Sequence, residues 1–278
     1  MAYFFRYNYY ESEADYNEIE KVLDDALSID TWHAFSGTII MKKKRVLKTI
    51  GRYYKRLDKK SRQMPPAYDP EIIHKFRTNY KKLKAFLHMI QLPGIPGKLK
   101  DFYHQLGTLR DLQLQEQYIK HDARHLPTYR KIIHKQAEQC KDQLHHSLAK
   151  KPVRKAGKKT LKAVKTGFSH KTYQKYLAGK TIAMQQMLHP TSFSDNDLHT
   201  IRKTFKELSN NNQLHSSTLQ DRLGDYQDKC NALRLLRKYR PAELSDKEAQ
   251  YLQHKEEILV NEKKRMKAWL ARALKTIS

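Results

Sequence analysis

The chain has 278 residues, of which 55 are lysine or arginine and 29 are aspartate or glutamate, so its formal net charge is +26. This excess of cations excludes a basic partner and indicates a strongly anionic one. The two cysteines, Cys140 and Cys230, are too few for a disulfide framework or a four-cysteine metal site, so we expect free, partly buried thiols. No apolar run has the length of a membrane-spanning helix and the N-terminus lacks the features of a secretory signal, so we expect a cytoplasmic protein without a transmembrane segment.

The charge is distributed unevenly along the chain. Residues 1–35 contain eight acidic and two basic residues, whereas the remainder has a large excess of cations. We interpret residues 1–32 as an acidic N-terminal helical extension and residues 33–278 as the main domain. The basic domain is suited to nucleic acid, polyphosphate or an anionic membrane, and the charge alone does not choose among them.

The apolar residues recur with a period near 3.6 through long segments, and this pattern predicts an all-α protein. Asp69-Pro70-Glu71 and Ser245-Asp246-Lys247-Glu248 have the chemistry of helix N-termini. Residues 150–169 are rich in lysine and arginine, and we interpret them as a basic connector between a first half, about 33–149, and a second half, about 170–278. The predicted helices span residues 12–29, 33–60, 70–91, 98–122, 127–149, 170–188, 195–209, 212–222, 225–239 and 246–275.

A basic stripe occurs twice in the chain. The two copies consist of His74, Arg77, Lys81 and Lys84, and of His199, Arg202, Lys206 and Ser209. At about 100° per residue, each set shares one helix face, and this face borders the apolar face instead of lying opposite to it. An ordinary solvated helix face has the opposite arrangement. We therefore expect both stripes to bind a polyanion, the second with one cation fewer than the first.

A second motif follows each stripe in the same order. Leu106-Gly107 leads to Asp111 in the first copy, and Leu223-Gly224 leads to Asp228 in the second. Glycine allows two helices to approach closely and the aspartates can pair with basic side chains of a facing helix, so we interpret this motif as a helix-packing element. Two duplicated helical units predict a pseudo-twofold bundle whose basic stripes face a shared central groove or pore.

The order and spacing of these motifs resemble the CHAD family, the conserved-histidine α-helical domain, over roughly residues 33–275. The resemblance rests on His74-x-x-Arg77-x-x-x-Lys81, Leu106-Gly107-x-x-Arg110-Asp111, His199-x-x-Arg202 and Leu223-Gly224-x-x-x-Asp228. It implies two pseudo-twofold-related four-helix bundles with a basic central groove or pore that binds inorganic polyphosphate. It also implies no catalytic activity. The chain resembles a stand-alone member, because the alternating Glu-x-Glu-x-Lys strand of the triphosphate-tunnel domain found in many relatives is not recognisable.

Position by position, the resemblance implies the following polyphosphate ligands: His74, Arg77, Lys81, Lys84, His199, Arg202 and Lys206. Arg110 is a further candidate, and because the second copy has Gln227 in its place, we do not expect the two walls of the groove to be equivalent. Another basic face, formed by Lys44, Lys48, Arg52 and Lys55, either lines the same groove or is a solvated helix face. Since a bound polyanion favours protonated histidine, we expect tighter binding at pH 6 than at pH 8.

Two other functions are compatible with the composition. A nonspecific nucleic-acid-binding protein would use the same charge and the 17 tyrosines, although several of these cluster in the acidic N-terminal segment. A targeting or scaffolding module would bring partners to polyphosphate bodies, and its own partners would include granule proteins. His121 and His125 have the spacing of a metal pair but lack a third ligand, so we expect neither a metal site nor a cofactor. No phosphate-binding loop or catalytic triad is recognisable, so we do not expect an enzyme.

Overall fold

The structure, a computed structural model, describes residues 42–122, 124–190, 192–210 and 218–275. The acidic extension 1–32, the predicted helix 12–29 and the beginning of the predicted helix 33–60 lie outside the described residues. Within the described ranges the chain forms α-helices and one 3₁₀ helix, with no β-strand. This confirms the predicted all-α class.

The helix boundaries agree closely with the sequence pattern. Three predicted helices, 127–149, 170–188 and 246–275, have the expected bounds, and most of the others end within a few residues of the prediction. In chain order the helices are α1 (Lys43–Arg62), α2 (Pro70–Met89), α3 (Gly97–Tyr118), α4 (Pro127–Ala149), α5 (Pro152–Lys162), α6 (His170–Leu188), α7 (Asp195–Asn210), α8 (Thr218–Lys238) and α9 (Asp246–Lys275). A 3₁₀ helix at Lys120–Asp122 lies between α3 and α4.

The predicted break between the helices 212–222 and 225–239 is wrong, because a single helix, α8, runs from Thr218 to Lys238, and residues 212–217 lie outside the described residues. Gly224 does not interrupt it. Leu223 and Tyr226, on either side of the glycine, are both buried, so the same helix face continues to pack against the core. Burial of a continuous apolar face outweighs the modest cost of a glycine in a helix interior, which is about 1 kcal/mol.

Residues 150–169 are not only a connector, because they contain the helix α5. Val153, Ala156 and Thr160 form its buried face. Gly157 lies so close to Tyr54 of α1 that a Cβ atom there would be 3.1 Å from the tyrosine ring, and the hydroxyls of Tyr54 and Thr160 are hydrogen-bonded at 2.7 Å. The small residues therefore allow α5 to pack closely on α1, and it also packs against α3.

The two halves repeat one packing order. In the first half, α1 packs on α2, α2 on α3 and α3 on α4; in the second, α6 packs on α7, α7 on α8 and α8 on α9. Between the halves, α2 packs against α7 and α3 packs against α8. These are the helices that carry the duplicated motifs, so each motif helix contacts its counterpart.

Three helices of the second half extend from one hydrophobic core into the other. The first core contains the side chains of α1 to α5, and the second contains Leu198, Ile201 and Phe205 of α7. α6, α8 and α9 contribute to both cores. Their first-core residues are Tyr173, Tyr176 and Leu177 of α6, Leu233, Leu235 and Leu236 of α8, and Leu252 and Leu259 of α9, and their second-core residues include Met184, Leu223 and Leu270.

A buried carboxylate joins the two halves at the beginning of α9. Glu248 Oε1 accepts hydrogen bonds from the backbone N–H groups of Thr128, at 2.8 Å, and Tyr129, at 3.3 Å, in the first turn of α4. Ser245 and Glu248 form the predicted capping box. Although burial raises the pKa of Glu248, these hydrogen bonds outweigh it and hold the pKa below its usual value. The Glu248 carboxylate thus caps α4 directly and holds the Ser245 hydroxyl, which in turn caps α9.

Candidate functional site

The first basic stripe is oriented by the N-cap and the buried face of α2. Asp69 accepts hydrogen bonds from the backbone N–H groups of Glu71 and Ile72, at 2.8 and 3.0 Å, and Pro70 occupies the first turn. Residues Ile73, Phe76, Tyr80 and Leu83 are buried. His74, Arg77 and Lys81 therefore emerge at the edge of the core, as the helical spacing predicts.

Arg77 is held against α3 by three contacts. Its Nη1 donates a hydrogen bond to the carbonyl oxygen of Tyr103 at 2.9 Å, and its guanidinium carbon lies 4.4 Å from the centroid of the Tyr103 ring. That ring is stacked on Tyr80 of α2, with 4.0 Å between centroids. Gly107 leaves room for the guanidinium, because a Cβ atom there would be 2.7 Å from Arg77 Nη1. The arginine is thus positioned before any ligand binds.

The second stripe is oriented from the beginning of α7. Ser194 and Asp197 cap the helix reciprocally, as the sequence predicts: the N–H of Asp197 donates to Ser194 Oγ at 3.1 Å, and the N–H of Ser194 donates to Asp197 Oδ2 at 2.7 Å. His199 Nδ1 is hydrogen-bonded to Gln227 Oε1 of α8. Gln227 occupies the position of Arg110 in the first copy, so the second copy holds a histidine where the first has an additional cation.

The cations of the two stripes lie close enough to act on one another. Lys81 of α2 is exposed overall, but the surrounding protein partly desolvates its ammonium group. This desolvation, together with the positive charges of Arg77, Lys206 and Arg202, lowers the pKa of Lys81 to about 8. Lys206 and Arg202 belong to α7. Cations of the two basic stripes therefore lie within range of each other's charge.

Three further basic residues, His74, Lys206 and Arg110, belong to the same cluster of cations. Desolvation lowers the pKa of His74, and the charges of Arg110, Lys81 and Lys206 lower it further. Desolvation and the charge of Arg202 likewise lower the pKa of Lys206. Burial lowers the pKa of Arg110 as well. The central basic cluster consists of His74, Arg77, Lys81, Arg110, Arg202 and Lys206.

Asp228 is an acidic residue that lies among these cations, and the charges of Glu71 and Asp111 act on Arg110 as well. Desolvation raises the pKa of the Asp228 carboxyl, which also experiences the charges of Arg202, Lys206 and Lys81. Its counterpart in the first copy, Asp111, instead forms an ion pair with Arg234 of α8 at 2.8 Å. The motif predicts a basic partner on a facing helix for both aspartates: Asp111 has one in an ion pair, and Asp228 experiences the charges of Arg202 and Lys206 of α7. Asp228 partly neutralises the cluster.

Two groups of predicted ligands lie outside the central basic cluster. Lys84 is exposed one turn beyond Lys81 and is not among the charges that shift the pKa values of the cluster. The other group is on α1, where Val46, Ile50, Tyr54 and Leu57 form the buried face. Lys48 and Arg52 are each about 200° around the helix from Ile50, and Lys44 and Lys55 are exposed beside them. These four cations therefore do not line the central basic cluster.

Sequence reasoning missed the residues that support the cluster. Tyr103 is separated from Arg77 by 26 positions, so no local pattern connects them. Its place four residues before Gly107, on the same helix face, is the one available signal. The other missed contact is Glu207 of α7, which lies 3.5 Å from His88 of α2 and 3.0 Å from Lys180 of α6. This carboxylate ties the two stripe helices together beside the cluster.

No metal site accompanies the cluster in the described ranges. They contain no group of three or more histidine, cysteine or acidic side chains arranged to hold a metal ion. Cys140 and Cys230 are free thiols, as expected, and burial raises the pKa of both. In addition, no helix in these ranges has both the length and the apolar character that crossing a membrane requires.

Known proteins share this fold. It is similar to the crystal structure of the CHAD domain from the plant Ricinus communis, with a TM-score of 0.64 and 17% sequence identity over 84% of this chain and 91% of that chain. It is also similar to PptA from Streptomyces chartreusis, with a TM-score of 0.59 and 10% identity over 84% of this chain and 99% of that one. At such low identities, these likenesses show the fold alone.

A family comparison is more specific. No curated protein matches the chain. The sequence model of the CHAD domain, however, matches residues 67–233, which is more than half of the 278-residue chain and includes both copies of the motif. This match confirms the resemblance that the motifs carry. The chain therefore belongs to the CHAD domain family.

Proposed function

We propose that the protein binds inorganic polyphosphate in a basic groove between its two halves. The observation that carries this proposal is the mutual influence of cations from the two duplicated helices, seen in the pKa of Lys81, which Lys206 and Arg202 lower. The five lysine and arginine side chains of the cluster repel one another unless an anion with several charges lies between them. Membership of the CHAD family supports the same ligand.

The architecture of this proposed groove follows from the repeated packing order. A pseudo-twofold axis between α2 and α7 and between α3 and α8 would relate the two four-helix units and place one basic stripe on each wall. The direct packing of each motif helix on its counterpart supports this arrangement. A linear polymer with a charge on every unit matches such a track without any need for sequence readout, since each cation contacts a chemically identical phosphate.

The main competing ligand is nucleic acid, which the net charge would also attract. Sequence-tolerant binding of single strands uses aromatic side chains on which the bases stack. The aromatic rings nearest to the cluster are already engaged, because Tyr80 and Tyr103 stack on each other and Arg77 covers the Tyr103 ring. This favours a ligand without bases.

A competition experiment tests the assignment. Long-chain polyphosphate, single-stranded DNA and RNA would compete for the purified protein at about 150 mM salt, where the Debye length is about 8 Å and long-range attraction is screened. We expect polyphosphate to displace both nucleic acids at much lower phosphate concentrations. Equal affinity for the three polymers would contradict the proposal and favour nonspecific nucleic-acid binding.

The proposal is for binding without turnover. When the protein is incubated with polyphosphate, we expect orthophosphate to be released no faster than in buffer alone. Release that depends on Arg77 and Lys81 would contradict binding without hydrolysis. In a cell, such a binding protein would locate to polyphosphate granules in the cytoplasm and scaffold other granule proteins. Fluorescent fusions of the parent protein and of a Lys81→Glu variant would test this location.

A further inference from the structure

Helices α1 and α5 carry a second basic surface, distinct from the central basic cluster. The outer basic face consists of Lys44, Lys48, Arg52, Lys55 and Lys59 of α1 and Lys155, Lys158, Lys159 and Lys162 of α5, all of them exposed. Since α1 buries the opposite side of its helix, these cations face solvent. α1 lies outside residues 67–233, the segment that matches the family model, whereas α5 lies within it.

The charges of the outer basic face are not neutralised by neighbouring carboxylates. Asp58 is the only acidic residue within α1 and α5, and it pairs with Arg62 at 2.6 Å and with Arg154 at 3.3 Å. In the described part of the chain, no cation of the outer basic face has a carboxylate within salt-bridge distance. An exposed, uniformly positive surface that extends over two packed helices attracts a polyanion.

The surface is fixed in shape and is not suited to lipid. The contacts of Tyr54 with Gly157 and Thr160 hold α1 and α5 together beneath the cations. A helix that lies in a membrane interface needs large apolar side chains beside its cations. Among the described residues the large exposed apolar side chains are Ile182 and Ile258, which belong to α6 and α9. The outer basic face therefore offers charge without an apolar anchor.

One exposed cation of α2, Lys82, lies between the two basic sites around the helix axis. Tyr53 of α1 packs on Phe86 of α2, with 6.1 Å between the ring centroids, so this contact marks the side of α2 that faces α1. Lys82 is exposed, and it lies about 100° beyond Lys81 of the cluster and about 40° before Phe86 around the helix axis. A chain that leaves the cluster passes Lys82 and needs to cross only one helix, about 10 Å wide, to reach α1.

We propose that the outer basic face is an auxiliary binding site for the part of a long polyphosphate chain that extends beyond the central basic cluster. This inference rests on the proposed function. A short chain occupies the cluster alone, whereas a long one presents its remaining phosphates to α1 and α5 at high effective concentration. The auxiliary site thus makes affinity increase with chain length, without any additional contact inside the cluster.

A lysine-to-glutamine variant separates the two sites. The outer variant K48Q/K55Q/K155Q/K158Q removes four charges, and glutamine has nearly the helix propensity of lysine, so the helices are retained. The matched control K131Q/K135Q/K247Q/K264Q removes four exposed lysines of α4 and α9 and therefore has the same net charge. Binding of tripolyphosphate, long-chain polyphosphate and duplex DNA is measured for both variants and for the parent protein by calorimetry.

We expect the outer variant to lose about tenfold or more in affinity for long-chain polyphosphate, with the control close to the parent and tripolyphosphate binding unchanged. Equal loss in both variants would attribute the effect to net charge and overturn the proposal, as would unchanged long-chain affinity. A loss confined to duplex DNA would assign the surface to nucleic acid instead. If the parent protein binds neither length of polyphosphate, the proposed function itself fails, and that outcome differs from all the others.

Discussion

The two copies of the basic motif have the same spacing but different surroundings. In the first copy, Arg77 lies over Tyr103 and close to Gly107, and Arg110 adds a cation. In the second copy, Gln220 stands where the first has Tyr103, nothing lies within 4 Å of a Cβ atom at Gly224, and Gln227 replaces Arg110. The two copies therefore share a helical pattern, but the first has more cations and more contacts around its arginine than the second.

The difference extends to the acidic residues. Asp111 pairs with Arg234 at 2.8 Å, so its charge serves the packing of α3 on α8. Asp228 instead lies among the cations of both stripes. A carboxylate in a cationic cluster reduces the repulsion between the cations when no ligand is bound and competes with the ligand for them. The second wall is thus expected to bind anions less tightly than the first.

Charge reversal should give the largest effect and compare the walls directly. We expect Arg77→Glu to weaken polyphosphate binding by about 2 to 3 kcal/mol, or roughly 30-fold to 160-fold, because a charge-assisted contact is replaced by repulsion. Arg202→Glu should cost about tenfold, since its wall already contains Asp228. Calorimetric titration measures both, with thermal unfolding to verify the fold. An equal or larger loss for Arg202→Glu would show that the first wall is not dominant.

The pH dependence should be the next largest effect. A polyanion binds the protonated form of Lys81, whose pKa is about 8 in the free protein, so affinity is retained below pH 8 and decreases as the pH rises through it. At pH 9, one unit above this pKa, we expect about a tenfold loss relative to pH 7.

The Lys81→Arg variant is the control for this titration, because arginine stays charged throughout and should abolish the loss. On the acid side, the lowered pKa of His74 places its contribution below pH 6.5, where protonation should strengthen binding. Affinity measured from pH 5.5 to 9 in both proteins tests the contributions of Lys81, at high pH, and His74, at low pH, separately. A decline that persists in Lys81→Arg would mean that another group titrates.

The two glycines offer a smaller and sharper comparison. Gly107→Ala should displace the guanidinium of Arg77, because the new methyl group would lie 2.7 Å from Nη1, and we expect about a fivefold loss of affinity. In Gly224→Ala the new Cβ atom has no neighbour within 4 Å. We therefore expect this variant to leave binding unchanged and to stabilise α8 by about 0.5 to 1 kcal/mol. Binding titrations and denaturant unfolding distinguish the two outcomes. Similar behaviour of both variants would contradict the difference between the copies.

The smallest effect is expected from the aspartates. Asp228→Asn removes an internal competitor and should raise polyphosphate affinity about threefold, whereas Asp111→Asn should leave affinity unchanged and cost about 0.5 to 1 kcal/mol of stability by breaking its partly exposed ion pair. Affinity and the free energy of unfolding are measured for both. A lower affinity in Asp228→Asn would show that this carboxylate orders the cations instead of competing for them.

The sequence was sufficient for the features that repeat and insufficient for those that depend on a distant neighbour. The duplicated stripe predicted that His74, Arg77 and Lys81 would meet Arg202 and Lys206, because periodicity fixes which residues share a face. It did not predict where the cations of α1 point, since a shared face does not specify what lies opposite. That information resides in the packing of Tyr53 on Phe86 and of Tyr54 on Gly157.

Three further features of the structure also differ from the sequence prediction because they depend on packing. α5 is short and rich in lysine, and its buried face is built from Val153, Ala156 and Thr160, which give a weak apolar signal. Gly224 suggested a helix end, yet the burial of Leu223 and Tyr226 carries α8 through it. The different roles of Asp111 and Asp228 depend on Arg234, which faces the first but not the second, and no pattern within either motif contains that information.

The helices α6, α8 and α9, which extend through both cores, have a consequence for how binding energy is used. Two lobes joined by a flexible segment would close around a ligand, and part of the affinity would be spent on that closure. Here the same continuous helices, together with Glu248 at the start of α9, belong to both halves, so the separation of the two walls is set by the scaffold itself. In the proposed complex, conformational adaptation falls on the polymer, whose bends follow a groove of fixed width.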